Sequence, residues 1–162
     1  MGSRRALHPL LLEPTYWRNR LQEQKLVRRG TLITPRPDLS CATVEVQEIK
    51  FKAHDGVRLW GLMARCPMMQ EAKEARIRVV GPAHPAEIEA HWVRGGSCEF
   101  VFQELAGRRL EDRVLDVLQV CELAASIEGI DRGLIRLDMA TGGEPPDELL
   151  IAAELRAGGI TG

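Results

Sequence analysis

The segment "LIRLDMATGGEPPDELLIAAEL", residues 134–155, joins an apolar run to a glycine turn and then to a helix-like stretch, with Thr141 in the turn. A hydroxyl held on a strand-to-helix turn is well exposed for attack on an acyl group. Threonine serves as a nucleophile only beside a base. The four histidines, His8, His54, His84 and His91, all precede Thr141. Asp147 and Glu148 follow it, but they fall in the first turn of the next helix, where acids are expected against the helix dipole. The same glycine-led helix start has a shape that attracts anions. There Glu144, Asp147 and Glu148 already supply the negative charge.

The other reactive side chains carry less. Cys41, Cys66, Cys98 and Cys121 are scattered without a CxxC pair, so metal-ligand spacing is absent. Two disulfides are compatible with the count, but buried thiols in a cytoplasmic chain are the expectation. Cys121 lies mid-helix on an apolar face beside Glu122, which predicts an inert thiol rather than a nucleophile. Cys98 opens a strand and is expected in the core. His54-Asp55 resembles a dyad, yet Asp55-Gly56 is explained by a hairpin turn alone. His91 beside Trp92 reads as surface. "RGG" at 94–96 reads as a helix stop, since no helix follows it to bind phosphate, and Arg28-Arg29 as cations at a helix end.

These groups sit in a chain of 162 residues, 44% hydrophobic and 28% charged, which fits one globular domain with a real core. The formal net charge of −1 gives no global field for nucleic acid or membrane. Charge is uneven: residues 1–40 carry eight Lys/Arg against three Asp/Glu. This fits an arm docked on an acidic body or an RNA-binding arm. The arm's apolar content and its lack of a basic run favour docking. No signal peptide, membrane span, repeat or low-complexity tract is visible. We therefore expect no cofactor, no metal, no nucleic-acid or membrane partner, and a cytoplasmic location.

The pattern predicts a helical arm and linker over 1–40 and an α/β domain over 41–162. Pro14 suits a first helical turn, Trp17 and Leu21 an apolar stripe, and Gly30 a stop. Alternation predicts a hairpin near 44–52 and 57–65, with a bulge where the alternation shifts between Val46 and Ile49. Strands follow near 76–81, 98–104 and 134–139, with helices near 85–94, 108–128 and 146–157. Alternating strands and helices build right-handed crossovers and parallel pairing.

In this frame the chain resembles the acetyl xylan esterase / cephalosporin-C deacetylase branch of the α/β-hydrolases. The resemblance is carried by "YWRNRLQEQ", by "VEVQEIKFKAHDGVRLWGLMAR", and by "DVLQVCELAASIEGIDRGLIRL" with its "-D-x-x-x-I-". It runs over residues 15–160 and matches the N-terminal portion of a longer family. It implies a reduced α/β-hydrolase-like sheet: an antiparallel hairpin, then three parallel strands with crossover helices. It also implies a G-x-S-x-G elbow, which falls on Met139, Ala140, Thr141, Gly142 and Gly143. The serine is Thr141 and the first glycine is Met139. In that fold the acid and the histidine follow the nucleophile, and no histidine follows Thr141. The implied "HG" of the oxyanion loop is Gly81-Pro82, where proline has no N–H to donate. His84, next to that loop, reads as a loop or helix-entry histidine. The implied "D-x-R-G" is "QELAG", from Gln103. No Ser-His-acid triad assembles.

The expected function is thus a non-catalytic, truncated hydrolase-like domain acting by association, as a homodimer or with a protein partner. The alternatives are a deacetylase-type esterase whose site a partner completes, and a decayed gene product. The dimer expectation comes from the strand 134–139. It would lie at a sheet edge, next to a final helix whose Leu149, Leu150, Ile151 and Leu155 span more than one face.

Overall fold

The computed structural model describes residues 13–26, 30–53, 55–67, 74–83, 86–89, 93–138 and 146–157. Six strands form one mixed sheet. Strand β1 (Leu32–Pro35) pairs antiparallel with β2 (Glu45–Lys52), and β2 with β3 (Arg58–Arg65). β3 then pairs antiparallel with β5 (Cys98–Gln103). From there the sheet is parallel, β5 to β4 (Ala75–Val80) and β4 to β6 (Ile135–Leu137), in the order β1-β2-β3-β5-β4-β6. It is accompanied by α1 (Pro14–Leu26), α2 (Leu110–Ser126) and α3 (Asp147–Ala157), and among the described residues Val93, Arg94 and the short turn Arg132–Leu134 are also helical. The hairpin, the three parallel strands and the helices α2 and α3 lie where the sequence predicts them. None of these helices is long and apolar enough to cross a membrane.

Both faces of the sheet are buried, and this corrects the predicted bulge. β2 and β3 pair without interruption from Glu45↔Arg65 to Lys52↔Arg58. Val44 and Val46 point to one face, with Leu62, Ala64 and Val101. Ile49, Phe51 and Ala53 point to the other, with Phe100, Phe102 and the apolar sides of α2 and α3. The alternation shifts because the buried face changes along a regular strand, not because a residue is inserted. Full burial of residues such as Phe100, Leu115 and Leu149 contributes about 1.5–3 kcal/mol each.

Two further predictions change. The stretch predicted as linker contains β1, whose four residues are all exposed, so no period-two burial marks it. Residues 86–89, predicted as part of a helix, are irregular. Side chains there take up backbone groups that a helix would have used: Glu99 accepts from the Glu89 N–H at 2.8 Å, and Arg78 donates to the Glu87 carbonyl.

The basic arm is docked through α1. Trp17 is completely buried in the α2–α3 face and meets Tyr16 edge to face at 5.2 Å. The Tyr16 hydroxyl donates to Glu111 on α2, and Arg20 lies 3.2 Å from the same carboxylate. In the hairpin the glycine of "L-x-G" is obligatory. A Cβ on Gly61 would stand 2.5 Å from the Val101 carbonyl oxygen and 2.8 Å from the Phe102 ring.

Candidate functional site

In an open parallel sheet, ligands and chemistry collect beyond the carboxyl ends of the strands. Here those ends are Val80 of β4, Gln103 of β5 and Leu137 of β6. Asp131 sets the entry to β6: its carboxylate accepts from the Gly133 N–H at 2.8 Å and caps the short turn Arg132–Leu134. This is the structural work of the "-D-x-x-x-I-" spacing. Beyond β6, the Asp138 N–H donates to the Ile77 carbonyl at 2.8 Å and its carboxylate lies 3.0 Å from Arg76. The exit of β6 is thereby held against β4. Met139, Ala140, Thr141, Gly142 and Gly143 lie outside the described residues, as do Glu144, His8, His54, His84, His91 and Trp92.

The loop after β4 is tied to β5. Gly81 and Pro82 come directly beyond Val80, and the Gln103 side-chain amide donates to the Pro82 carbonyl at 3.2 Å. Pro82 thus stands where the resemblance implies an N–H donor, and it presents a carbonyl to its neighbour instead. The Glu104 N–H continues the parallel ladder to the Val80 carbonyl at 2.9 Å.

The charged groups at this end come from the hairpin turn, the end of β5, α2 with the residues just before it, and α3. Arg108 makes a bidentate pair with Asp116 at 2.7 and 2.8 Å and reaches Asp55 at 2.9 Å. It pins the hairpin turn to the start of α2. Asp55 therefore does more than shape its turn, which it also does by accepting from the Val57 N–H at 3.4 Å. Arg113 donates to the Arg108 carbonyl at 2.7 Å and lies 3.5 Å from Glu148, whose side chain is almost wholly buried in the first turn of α3. The Glu148 carboxyl is within hydrogen-bond reach of Glu104. One oxygen of Glu104, Oε1, is buried and has no hydrogen-bond partner in the structure. Burial and then the Glu148 carboxyl push the Glu104 acid up to about 8. A small cleft between β5 and α2 adjoins it, with apolar walls of Leu59, Val79, Phe102, Val117 and Val120.

The sequence placed Glu148 as an ordinary helix-start acid and passed over Glu104 inside "QELAG". Neither the strand-end position of Glu104 nor the spacing to Arg113 marks a buried pair. Of the predicted thiols, Cys98 and Cys121 fall as expected, whereas Cys41 is exposed and Cys66 half-buried against the expectation of buried thiols, and Arg28-Arg29 lie outside the described residues. Cys98 and Cys121 are buried free thiols, pushed by burial up to about 12 and about 11, which makes them poor nucleophiles. Cys41 and Cys66 are also free. At "RGG" the chain turns through Gly96, with φ of 103° and its N–H bonded to the Val93 carbonyl at 3.0 Å. No cluster of His, Cys, Asp or Glu among the described residues is arranged to hold a metal.

Comparison with solved structures gives the fold its place. An acetyl xylan esterase from Paenibacillus sp. R4 superposes with a TM-score of 0.72 at 12% identity, over 95% of this chain and 58% of that one. Acetyl xylan esterase 1 from Thermoanaerobacterium sp. JW/SL YS485 superposes with a TM-score of 0.66 at 15% identity, over 88% of this chain and 54% of that one. The chain thus spans little more than half the length of either esterase. No family model and no curated protein matches the sequence. The fold is that of the α/β-hydrolases, as the resemblance implied.

Proposed function

We propose that this chain is a non-catalytic α/β-hydrolase-like domain that works by association, a second copy closing the edge at β6. One observation carries the reading: among the described residues β6 ends the sheet and pairs with β4 alone. An open edge is a row of N–H and C=O groups that another strand can pair. Arg136 projects from it into solvent, Ile135 is buried, and Leu150 on α3 is 40% exposed. Pairing of one edge with itself generates a closed two-fold dimer.

The non-catalytic half of the reading is supported by three positions. Thr141 stands for the serine of the elbow, Met139 for its first glycine, and Pro82 for the oxyanion donor. A triad acts as a unit, and loss of its members leaves little beyond binding. The four free thiols support a reducing, cytoplasmic setting. The competing reading is a deacetylase-type esterase completed by a partner. It is favoured by the fold of the two acetyl xylan esterases alone. Light scattering at micromolar concentration tests the association. The wild type is expected at twice the chain mass and Leu150→Glu at the chain mass. A wild-type monomer, unaffected by the substitution, overturns it.

A further inference from the structure

The charges at the carboxyl end of β5 do not balance. Arg108 is committed to Asp116 and Asp55. Glu104 and Glu148, which approach one another from β5 and α3, then share Arg113 as their neighbouring cation. Among the described residues, the charged groups acting on Glu104 are Glu148 from α3 and Arg113 and Asp116 from α2. Two carboxylates in contact away from water repel unless a proton joins them. The geometry of Glu104 agrees: its Oε1 is buried with no hydrogen-bond partner in the structure, and Arg113, which lines the same cleft as Glu104, lies 3.5 Å from Glu148.

We propose that Glu104 and Glu148 share one proton and form a latch that seats the first turn of α3 on the end of β5, and that the latch opens when this proton is lost. The turn it seats is also held by the burial of Leu149 and by short-range bonds, the N–H groups of Leu149 and Leu150 both reaching the Pro146 carbonyl at 3.1 and 3.2 Å. With the proton in place, Glu104 donates to Glu148, and Arg113 balances the one remaining charge. Without it, two negative charges face one guanidinium, and the turn that carries Glu148 is the movable partner.

The sign follows from the raised Glu104 acid. Its folded value of about 8 lies above the ordinary carboxyl value of 4.5. The closed latch therefore holds a proton that the open form releases. Its stability is full below the ordinary value, weakens as pH rises, and is lost once pH passes the folded value. Amide exchange of Leu149 and Leu150, corrected for the intrinsic pH dependence, reads this directly. Protection is expected to fall by up to about tenfold per pH unit between pH 5.5 and 8 and then to level off. In Glu104→Gln, which keeps a donor toward Glu148 without a titrating proton, protection is expected to stay flat. A flat wild-type profile, or the same fall in Glu104→Gln, overturns the latch. Carboxyl carbon NMR of the wild type needs no variant. One glutamate titrating well above the others supports the shared proton, and all glutamates titrating in the ordinary range overturns it.

Discussion

The two ends of β5 each hold a glutamate in a largely apolar setting, and they are built differently. Glu99, near the amino end, is 2% exposed. It accepts from the Glu89 N–H at 2.8 Å and from Arg78 at 3.2 Å, and Arg78 is itself only 16% exposed. Burial still raises its acid, but those donors pull it back. Glu104, just past the carboxyl end, shares Arg113 with a second carboxyl and leaves an oxygen unpartnered. Burial alone does not separate the two sites. Matched donors make the first a framework element, and unmatched ones make the second sensitive to a proton.

Substitutions at the two ends should therefore diverge. The largest effect is expected from Glu99→Leu, which leaves Arg78 without its most buried partner and the Glu89 N–H without an acceptor. Urea unfolding at neutral pH should show a loss of about 3 kcal/mol. A loss below about 1 kcal/mol would erase the contrast. Next is Arg113→Met, which removes the cation that Glu104 and Glu148 share. It should destabilise the fold by about 2 kcal/mol at pH 8.5 and by less at pH 6, where the shared proton already reduces the charge. Glu104→Leu should stay within about 1 kcal/mol of wild type at neutral pH, because an acid without its own counter-charge adds little to stability. A loss as large as that of Glu99→Leu would make the two ends equivalent. The smallest effect is expected from Leu150→Glu. As an exposed change it should alter the stability of the chain itself by no more than about 0.5 kcal/mol, so that its effect on mass reports association.

The framework was more legible in the sequence than the site. Strands β2 to β6 are visible because turn signals bound them and because they alternate, as in β4, or run apolar, as in β5. The Asp55-Gly56 turn does adopt the positive φ, 83° at Gly56, that its sequence announces. β1 was not visible, because a strand exposed at all four residues has no burial period. The shift between Val46 and Ile49 mimics a bulge because the sheet is covered on both faces, which alternation in one strand does not reveal. The carboxyl pair was hidden for another reason. Glu104 and Glu148 lie far apart in the chain and approach one another only once α3 packs on α2, and an acid at a helix start normally needs no partner beyond the dipole. The docking of the basic arm was legible in its composition, but its anchor in Trp17 and Glu111 depends on the packed α2 face.

The two acetyl xylan esterases share this chain's fold, and a shared fold does not by itself carry their activity. The measurement that tests this most directly is turnover of a short-chain aryl acetate by the purified chain, alone and as Thr141→Ala. Both proteins are expected at the background rate of the buffer, since Thr141 stands at the serine position of the implied elbow, Met139 at its first glycine, and Pro82 has no N–H to offer. Turnover well above background by the wild type, abolished in Thr141→Ala, would contradict the account.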